Sequence, residues 1–283
     1  MNEVKKNIFS FNEDVNTLLK TIIKSKSFAN GYIFCGAEGV GKKKAALQFI
    51  KEIFKQSSIK DSVEENINNH PDFLIIEPIS LLESKSSSEI IKIAQIRNIK
   101  NFLGQKSINS EKKIVLIIDA HLLNEAASNC LLKTLEEPSN GIFILLTSKL
   151  NLLLDTIISR CQMVRFRSLT AKQITSISKE YLDPLNYSIN RKLNVQDLIN
   201  SANGSPGQLL KNIEIWNELS DEITRKLDSP IKNSLEILEV SKLISEKLEV
   251  YQQIVLINLI QIIWWRKTKN INLLKKLEEL KLY

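Results

Sequence analysis

Gly31-Tyr-Ile-Phe-Cys-Gly36-Ala-Glu-Gly39-Val-Gly41-Lys42-Lys43 carries four of the chain's eight glycines between residues 31 and 41. An apolar run, Tyr32 to Cys35, enters the glycines, and Ala45, Leu47, Ile50 and Phe54 leave them at helical spacing. The stretch therefore predicts a strand, a loop and a helix in that order. The phosphate-binding pattern G-x-x-x-x-G-K-[ST] has this context: glycines let successive backbone N–H groups converge on phosphate oxygens, a Lys meets the terminal phosphates, and a hydroxyl ligates Mg²⁺. Gly36, Gly41 and Lys42 fit the pattern, with Gly39 as a further glycine of the loop, but Lys43 stands where the hydroxyl belongs. An ammonium cannot coordinate Mg²⁺ and repels it, so nucleotide binding is allowed while metal-assisted hydrolysis is put in doubt. Lys42, Lys43 and Lys44 also crowd the predicted helix N-terminus, where the macrodipole is already positive; a bound anion would relieve that conflict.

Outward from this loop the pattern repeats. Phe73 to Ile76, closed by Pro78, reads as a second strand, and Ile90 to Leu103 as a helix, with Ile93, Ile96, Ile99 and Leu103 on one face. Lys113 to Ile118 is the clearest buried strand and delivers Asp119 at its C-terminal edge, where open α/β sheets bind ligands. A helix from about Asn124 ends at Glu136-Glu137 because Pro138 cannot continue it. Ile142 to Leu146 and Met163 to Phe166 complete five β-type runs alternating with helices, which predicts an α/β fold with a mostly parallel, doubly wound sheet. Beyond Leu169 the reading is helical throughout: 170–182, 195–202, 208–219, a long and divisible stretch over 234–267, and a basic amphipathic tail over 271–282. The expected division is an α/β domain over 1–167, a small helical lid over 168–213 and a helical collar over 214–283. No internal repeat is visible.

Length and composition bound the function. Two to three modules fit 283 residues, and 43% hydrophobic with 25% charged residues is ordinary for a globular chain. The longest apolar stretch, 250–265, is interrupted by Gln252, Gln253, Asn258 and Gln261, which argues against a membrane span, and no leader pattern is read at the start. Cys35, Cys130 and Cys161 are widely spaced, with only His70 and His121 as imidazole partners, so neither a metal site nor a disulfide framework is expected and a cytoplasmic location is the default. The net charge of +7 permits work beside nucleic acid without demonstrating it.

Asp119 follows its strand as a metal-site aspartate would, but the next residue is Ala120, where a hydrolytic ATPase carries the Glu that polarises water. With Lys43 this makes two departures at independent positions. Here the chain resembles the AAA+ clamp-loader ATPases of DNA replication. The residues that carry the likeness are His70-Pro71-Asp72, the Lys113 to Asn124 strand and turn, Leu131-Leu132-Lys133-Thr134-Leu135-Glu136-Glu137-Pro138, and Ser159-Arg160-Cys161. It is dense from about residue 28 to 167, weaker to about 213, and hardly traceable after that.

The resemblance implies that Ser159-Arg160-Cys161 reaches a neighbouring subunit, with Arg160 as an arginine finger for the neighbour's ATP, beside the competing reading of a strand-flanking Arg in a surface ion pair. It places Thr147 at the sensor 1 position, beside the competing reading of a strand-end capping hydroxyl. It puts Gly207 where a sensor 2 Arg is expected, a third loss. Zinc is not carried over, because no cysteine lies between Cys35 and Cys130. His70 reads as a turn group, His121 as a residue against the sheet edge without a catalytic partner, and Trp264-Trp265 as core or interface. The expectation is thus a non-hydrolysing loader subunit of bacterial DNA polymerase III, needing no cofactor, with ATP or ADP optional. Its expected partners are a tau/gamma-type motor subunit, a clamp-opening delta subunit, and the clamp and primer-template DNA through the complex. An active motor subunit and a basic DNA-binding regulator on a vestigial scaffold are the rival readings.

Overall fold

The computed structural model describes residues 12–57, 67–80, 89–137, 141–182, 195–231 and 233–272. The chain divides into two compact units, Met1–Arg167 and Ser168–Tyr283. All but the first two residues of the tail read over 271–282 lie outside the described residues.

In the first unit, β1 (Gly31–Cys35), β2 (Phe73–Ile76), β5 (Lys113–Ile117), β6 (Gly141–Thr147) and β7 (Gln162–Arg165) form one sheet in the order β2-β5-β6-β1-β7. Every neighbouring pair in it is parallel. A two-residue antiparallel pair, β3 (Ile79–Ser80) with β4 (Glu89–Ile90), lies outside that sheet. Strand periodicity of two divides the apolar runs between two layers. Tyr32, Phe34, Ile114, Leu116, Ile142, Ile144 and Leu146 face α1 (Glu13–Ser25) and α2 (Lys42–Ser57). Ile33, Val115, Ile117, Phe143 and Leu145 face α3 (Ile93–Gly104), α4 (Glu125–Glu136) and the short α5 (Asp155–Ile158). Covering both faces of a parallel sheet is what makes its strands read as continuous apolar runs.

The helix α1 had no counterpart in the sequence reading, although Val15, Leu19, Ile22 and Ile23 bury one stripe of it. The side chain of Asn12 ties its start to the chain leaving β7: Nδ2 donates to the Arg167 carbonyl at 3.0 Å, and the Arg167 N–H donates to Oδ1 at 3.2 Å.

The second unit contains α6 (Ala171–Leu182), α7 (Val195–Ser201), α8 (Pro206–Glu218), α9 (Asp221–Leu227), α10 (Ser234–Lys247) and α11 (Val250–Thr268). The boundary expected between 213 and 214 falls inside α8, whose buried Leu209, Ile213 and Trp216 form one stripe across it. Asp197 of α7 is 2% exposed and meets Arg266 of α11 at 2.9 Å, so the expected lid and collar segments are joined by a charge pair as well as by a helix. Burial raises the Asp197 carboxyl above its ordinary value against the pull of Arg266. The long stretch over 234–267 is divided at Leu248, where Glu249 and Gln252 form a capping box that starts α11 afresh. Trp264 donates its indole N–H to the Leu227 carbonyl at 2.8 Å.

Candidate functional site: the glycine loop and the opposite edge of the sheet

The glycine loop, Asp119 and Thr147 all stand at the C-terminal edge of the parallel sheet, because they follow β1 and β5 and close β6. Gly36 has φ +153°, and a Cβ there would lie 2.3 Å from the Phe166 carbonyl oxygen, so only glycine permits the chain to turn beneath β7. The helix then starts at Lys42. Its ammonium folds back and donates to the Gly36 and Ala37 carbonyls, each at 2.7 Å, and the residue is 8% exposed. Burial pushes the Lys42 ammonium below its ordinary value, while Asp119 and Glu38 pull it up. The side chain that would meet a nucleotide's terminal phosphates thus neutralises the loop's own carbonyls. Lys43 reaches outward and pairs with Glu77, just past β2, at 2.9 Å with both side chains about half exposed.

Asp119 adopts a left-handed backbone, φ 49°, and the chain goes straight into a short 3₁₀ turn, Ala120–Leu122. That turn sends Ala120 fully into the core against the α3 face, so the position of the water-polarising Glu has no solvent. Thr147 is also fully buried; its Oγ1 accepts from the Lys149 N–H at 3.1 Å, which is the capping role. The same oxygen lies 3.4 Å from His121 Nδ1. His121, expected against the sheet edge without a partner, therefore belongs to this cleft: the 3₁₀ turn swings it back over the end of β6. Burial holds its imidazole below the ordinary value against Asp119, and Lys149 and Lys42 add to the lowering. The signal for it was available in Asp119-Ala-His121, two residues past the aspartate. Gly207 sits in the first turn of α8, after Ser205, whose hydroxyl accepts from the Gln208 N–H at 3.1 Å. A second cleft wall runs from α1 to β7, where a cavity of about 790 Å³ is lined by Leu18, Gly36, Ala37, Ser148, Arg165 and Phe166 among others.

His70-Pro71-Asp72 is structural. The His70 ring stacks on Phe54 at 3.9 Å, and its Nδ1 accepts from the Asp72 N–H at 3.2 Å. The buried Asp72 carboxylate accepts from the N–H groups of Ile108, Asn109 and Ser110 and from the Ser110 hydroxyl, at 2.7–3.2 Å. Burial alone would raise this carboxyl, but the hydrogen bonds outweigh it and hold the group below its ordinary value.

Ser159-Arg160-Cys161 stands at the other end of the strands. Ser159 donates to the Thr156 carbonyl at 3.1 Å, closing the turn after α5. Cys161 turns inward: a Cβ on Gly31 would lie 2.6 Å from its sulfur, so the absence of a side chain at the first residue of β1 makes room for it. Burial pushes its thiol up to about 11. Arg160 turns outward, its side chain 39% exposed, with one Nη donating to the Thr156 carbonyl at 2.9 Å and the other 2.6 Å from Glu136 at the end of α4. Gly31 beside Cys161 and Cys35 beside the glycine loop are separated by the length of β1, roughly 13 Å at about 3.3 Å per residue. Arg160 and the chain's own phosphate loop thus occupy opposite edges of one sheet. The three cysteines are unpaired, the described residues contain no cluster of three potential metal ligands, and no described helix is long and apolar enough to cross a membrane.

Comparison with known proteins adds the lineage. Among solved structures, a DNA polymerase III gamma subunit-related protein of Thermotoga maritima superposes with a TM-score of 0.55 at 20% identity, covering 94% of this chain and 91% of that one. The RuvB Holliday junction branch migration motor of the same organism gives 0.50 at 15%, covering 86% and 74%. These likenesses establish the AAA+ α/β fold. Among curated sequences, subunit delta' of DNA polymerase III from Bacillus subtilis is 34% identical over 168 residues, 56% of this chain and 49% of that protein. The tau subunit of B. subtilis is 30% identical over 178 residues, 60% and 30% respectively. Subunit delta' of Pseudomonas aeruginosa is 31% identical over 142 residues, 47% and 42%. The matches span half or less of the length of these relatives. A family model described as DNA polymerase III, delta subunit, covers residues 11–170, and one described as cyanobacterial DNA polymerase III delta prime, C-terminal domain, covers residues 178–283. The two family models together cover most of the chain, the delta' relatives match about half of it, and the chain belongs to the delta-prime family of DNA polymerase III subunits.

Proposed function

We propose that this chain is a non-hydrolysing subunit of the sliding-clamp loader of DNA polymerase III, which supplies Arg160 to nucleotide bound by a neighbouring subunit and helps assemble the ring. The observation that carries the reading is the position of Arg160: an exposed guanidinium at the edge of the sheet opposite its own glycine loop. Across about 13 Å of strand it cannot reach a phosphate held there, so any phosphate it serves is on another chain. A permanently charged planar fork suits charge developing on a transferring phosphoryl group.

The chain's own loop supports the non-hydrolysing half of the proposal. Lys43 pairs with Glu77 where a Mg²⁺-ligating hydroxyl belongs, Ala120 is sealed in the core where the water-polarising carboxylate belongs, and Gly207 offers no cation. Metal positioning, water activation and charge neutralisation are thus all weakened together. ATP or ADP binding stays optional, because the loop amides remain while Lys42 must leave the Gly36 and Ala37 carbonyls first. The names of the relatives support a tau/gamma-type motor subunit as the recipient of Arg160, beside a delta subunit, with the clamp and primer-template DNA engaged by the assembled complex.

The test is an Arg160→Ala chain reconstituted with its motor and delta subunits, with assembly followed by gel filtration and ATP turnover measured with clamp and DNA. An arginine finger is worth about 10³ or more in kcat at the site it serves, diluted where several sites fire in one ring. An intact complex with strongly reduced turnover is expected. Normal turnover in an intact complex would refute the assignment.

A further inference from the structure

Glu136 and Arg160 belong to separate motifs, one ending α4 and the other following α5, and the fold closes them into a contact of 2.6 Å. We infer that Glu136 is a positioning residue for Arg160, aiming its guanidinium out of the sheet edge; this rests on the arginine-finger reading above.

The geometry favours aiming over storage. One Nη is fixed by the Thr156 carbonyl and the other by Glu136, so two anchors set the plane of the fork. Guanidinium has five N–H donors, and these two bonds occupy two of them, leaving Nε–H and a second proton on each Nη for an incoming acceptor. A bidentate grip on phosphate through Nε and one Nη is therefore compatible with the Glu136 contact. The carboxylate is itself well placed: Leu131 and Leu135 bury the preceding turns of α4. The neighbouring Glu137 is engaged elsewhere, 2.7 Å from Lys100 of α3, so the two carboxylates of the Glu-Glu pair have separate partners. On the far side, Cys161 is seated against Gly31, which holds the backbone of Arg160 to the start of β1. A long, flexible side chain held at both backbone and tip loses little further freedom on engaging its target, and a misplacement of about 1 Å at a reacting group can cost about 10²-fold in rate.

Exposure makes the inference testable. Both side chains are about 40–50% exposed, and ion pairs of that kind add little to folding, so a purely structural Glu136 would be silent when substituted. The experiment places Glu136→Ala, Glu136→Asp and Glu136→Gln, each with and without Arg160→Ala, in the reconstituted loader, with gel filtration for assembly and steady-state kinetics with ATP. Glu136→Ala and the shortened Glu136→Asp should lower kcat about tenfold with the KM for ATP little changed. Glu136→Gln, which keeps an acceptor at the same reach, should recover most of it. In the Arg160→Ala complex none of the three should lower kcat further. Unchanged kcat in Glu136→Ala and Glu136→Asp would overturn the inference, as would a rise, which would make Glu136 a competitor of the phosphate. An equal loss in the Arg160→Ala background would also overturn it, since Glu136 would then act elsewhere. If Arg160→Ala alone leaves turnover normal, the finger reading itself has failed, and the single-variant data separate that failure from the failure of Glu136 to aim it.

Discussion

Replacing Asp72 by Asn should cost the first unit about 4–6 kcal/mol at pH 7. The carboxylate is fully buried, and one oxygen accepts from Asn109, Ser110 N–H, Ser110 hydroxyl and Ile108 at 2.7–3.2 Å, while the other accepts from Ile108 at 2.9 Å. An Asn that keeps its carbonyl on the crowded side retains three donors with a neutral acceptor, and each such bond weakens by about 1 kcal/mol on loss of the charge. Its amide then faces the Ile108 N–H, donor against donor, for a further ~1–3 kcal/mol. The Asp72 carboxyl is held below its ordinary value in the fold, so its contribution is fully present above the unfolded pKa, about 3.9, and is lost as pH falls through the folded value. The gap between the wild-type chain and Asp72→Asn should therefore be full at pH 7 and contract below about pH 4. Urea titration by circular dichroism gives the gap, and hydrogen exchange at Ile108, Asn109 and Ser110 localises it. A difference under about 1 kcal/mol at pH 7, or one that does not change with pH, would refute the account of 108–110 as a clasp on a charged Asp72.

The purified chain should show no ATP turnover, and Ala120→Glu should not create any, because residue 120 is enclosed in the core; a buried carboxylate there should instead destabilise by ~3 kcal/mol or more, and turnover in a phosphate-release assay would contradict this. Any nucleotide affinity should depend weakly on Mg²⁺, with Lys43→Thr introducing a dependence; calorimetry with Mg²⁺ and with chelator decides, and a strong Mg²⁺ effect in the unaltered chain counts against the reading of Lys43. Gly31→Ala should cost ~1–3 kcal/mol through collision with the Cys161 sulfur, and Cys161→Ala should relieve most of that in the double variant; additive losses in thermal melts would mean the two positions are not in contact.

What the sequence by itself determined is the set of local elements. Short apolar runs of four to six residues, a glycine loop and Pro138 marked the five strands and the end of α4, because a period of two or 3.6 is a property of neighbouring residues. That Lys43, Ala120 and Gly207 depart from the residue types that the phosphate-loop pattern and the family resemblance lead one to expect was equally legible. The helix α1, which the sequence reading passed over, carries the same local signal in Val15, Leu19, Ile22 and Ile23. Tertiary structure alone decided the pairings. Strand order brings β7 beside β1, and only that places Cys161 on Gly31 and sends Arg160 to the edge away from its own loop. The partners of Arg160, Lys43 and Asp72 are Glu136, Glu77 and the 108–110 amides, each distant in sequence. His121 joined Thr147 because a left-handed Asp119 turned the chain back, and α8 ran through an expected boundary because one buried stripe continues across it. Such contacts are set by how crossovers order the strands and by which surfaces then close together, and no local period encodes that.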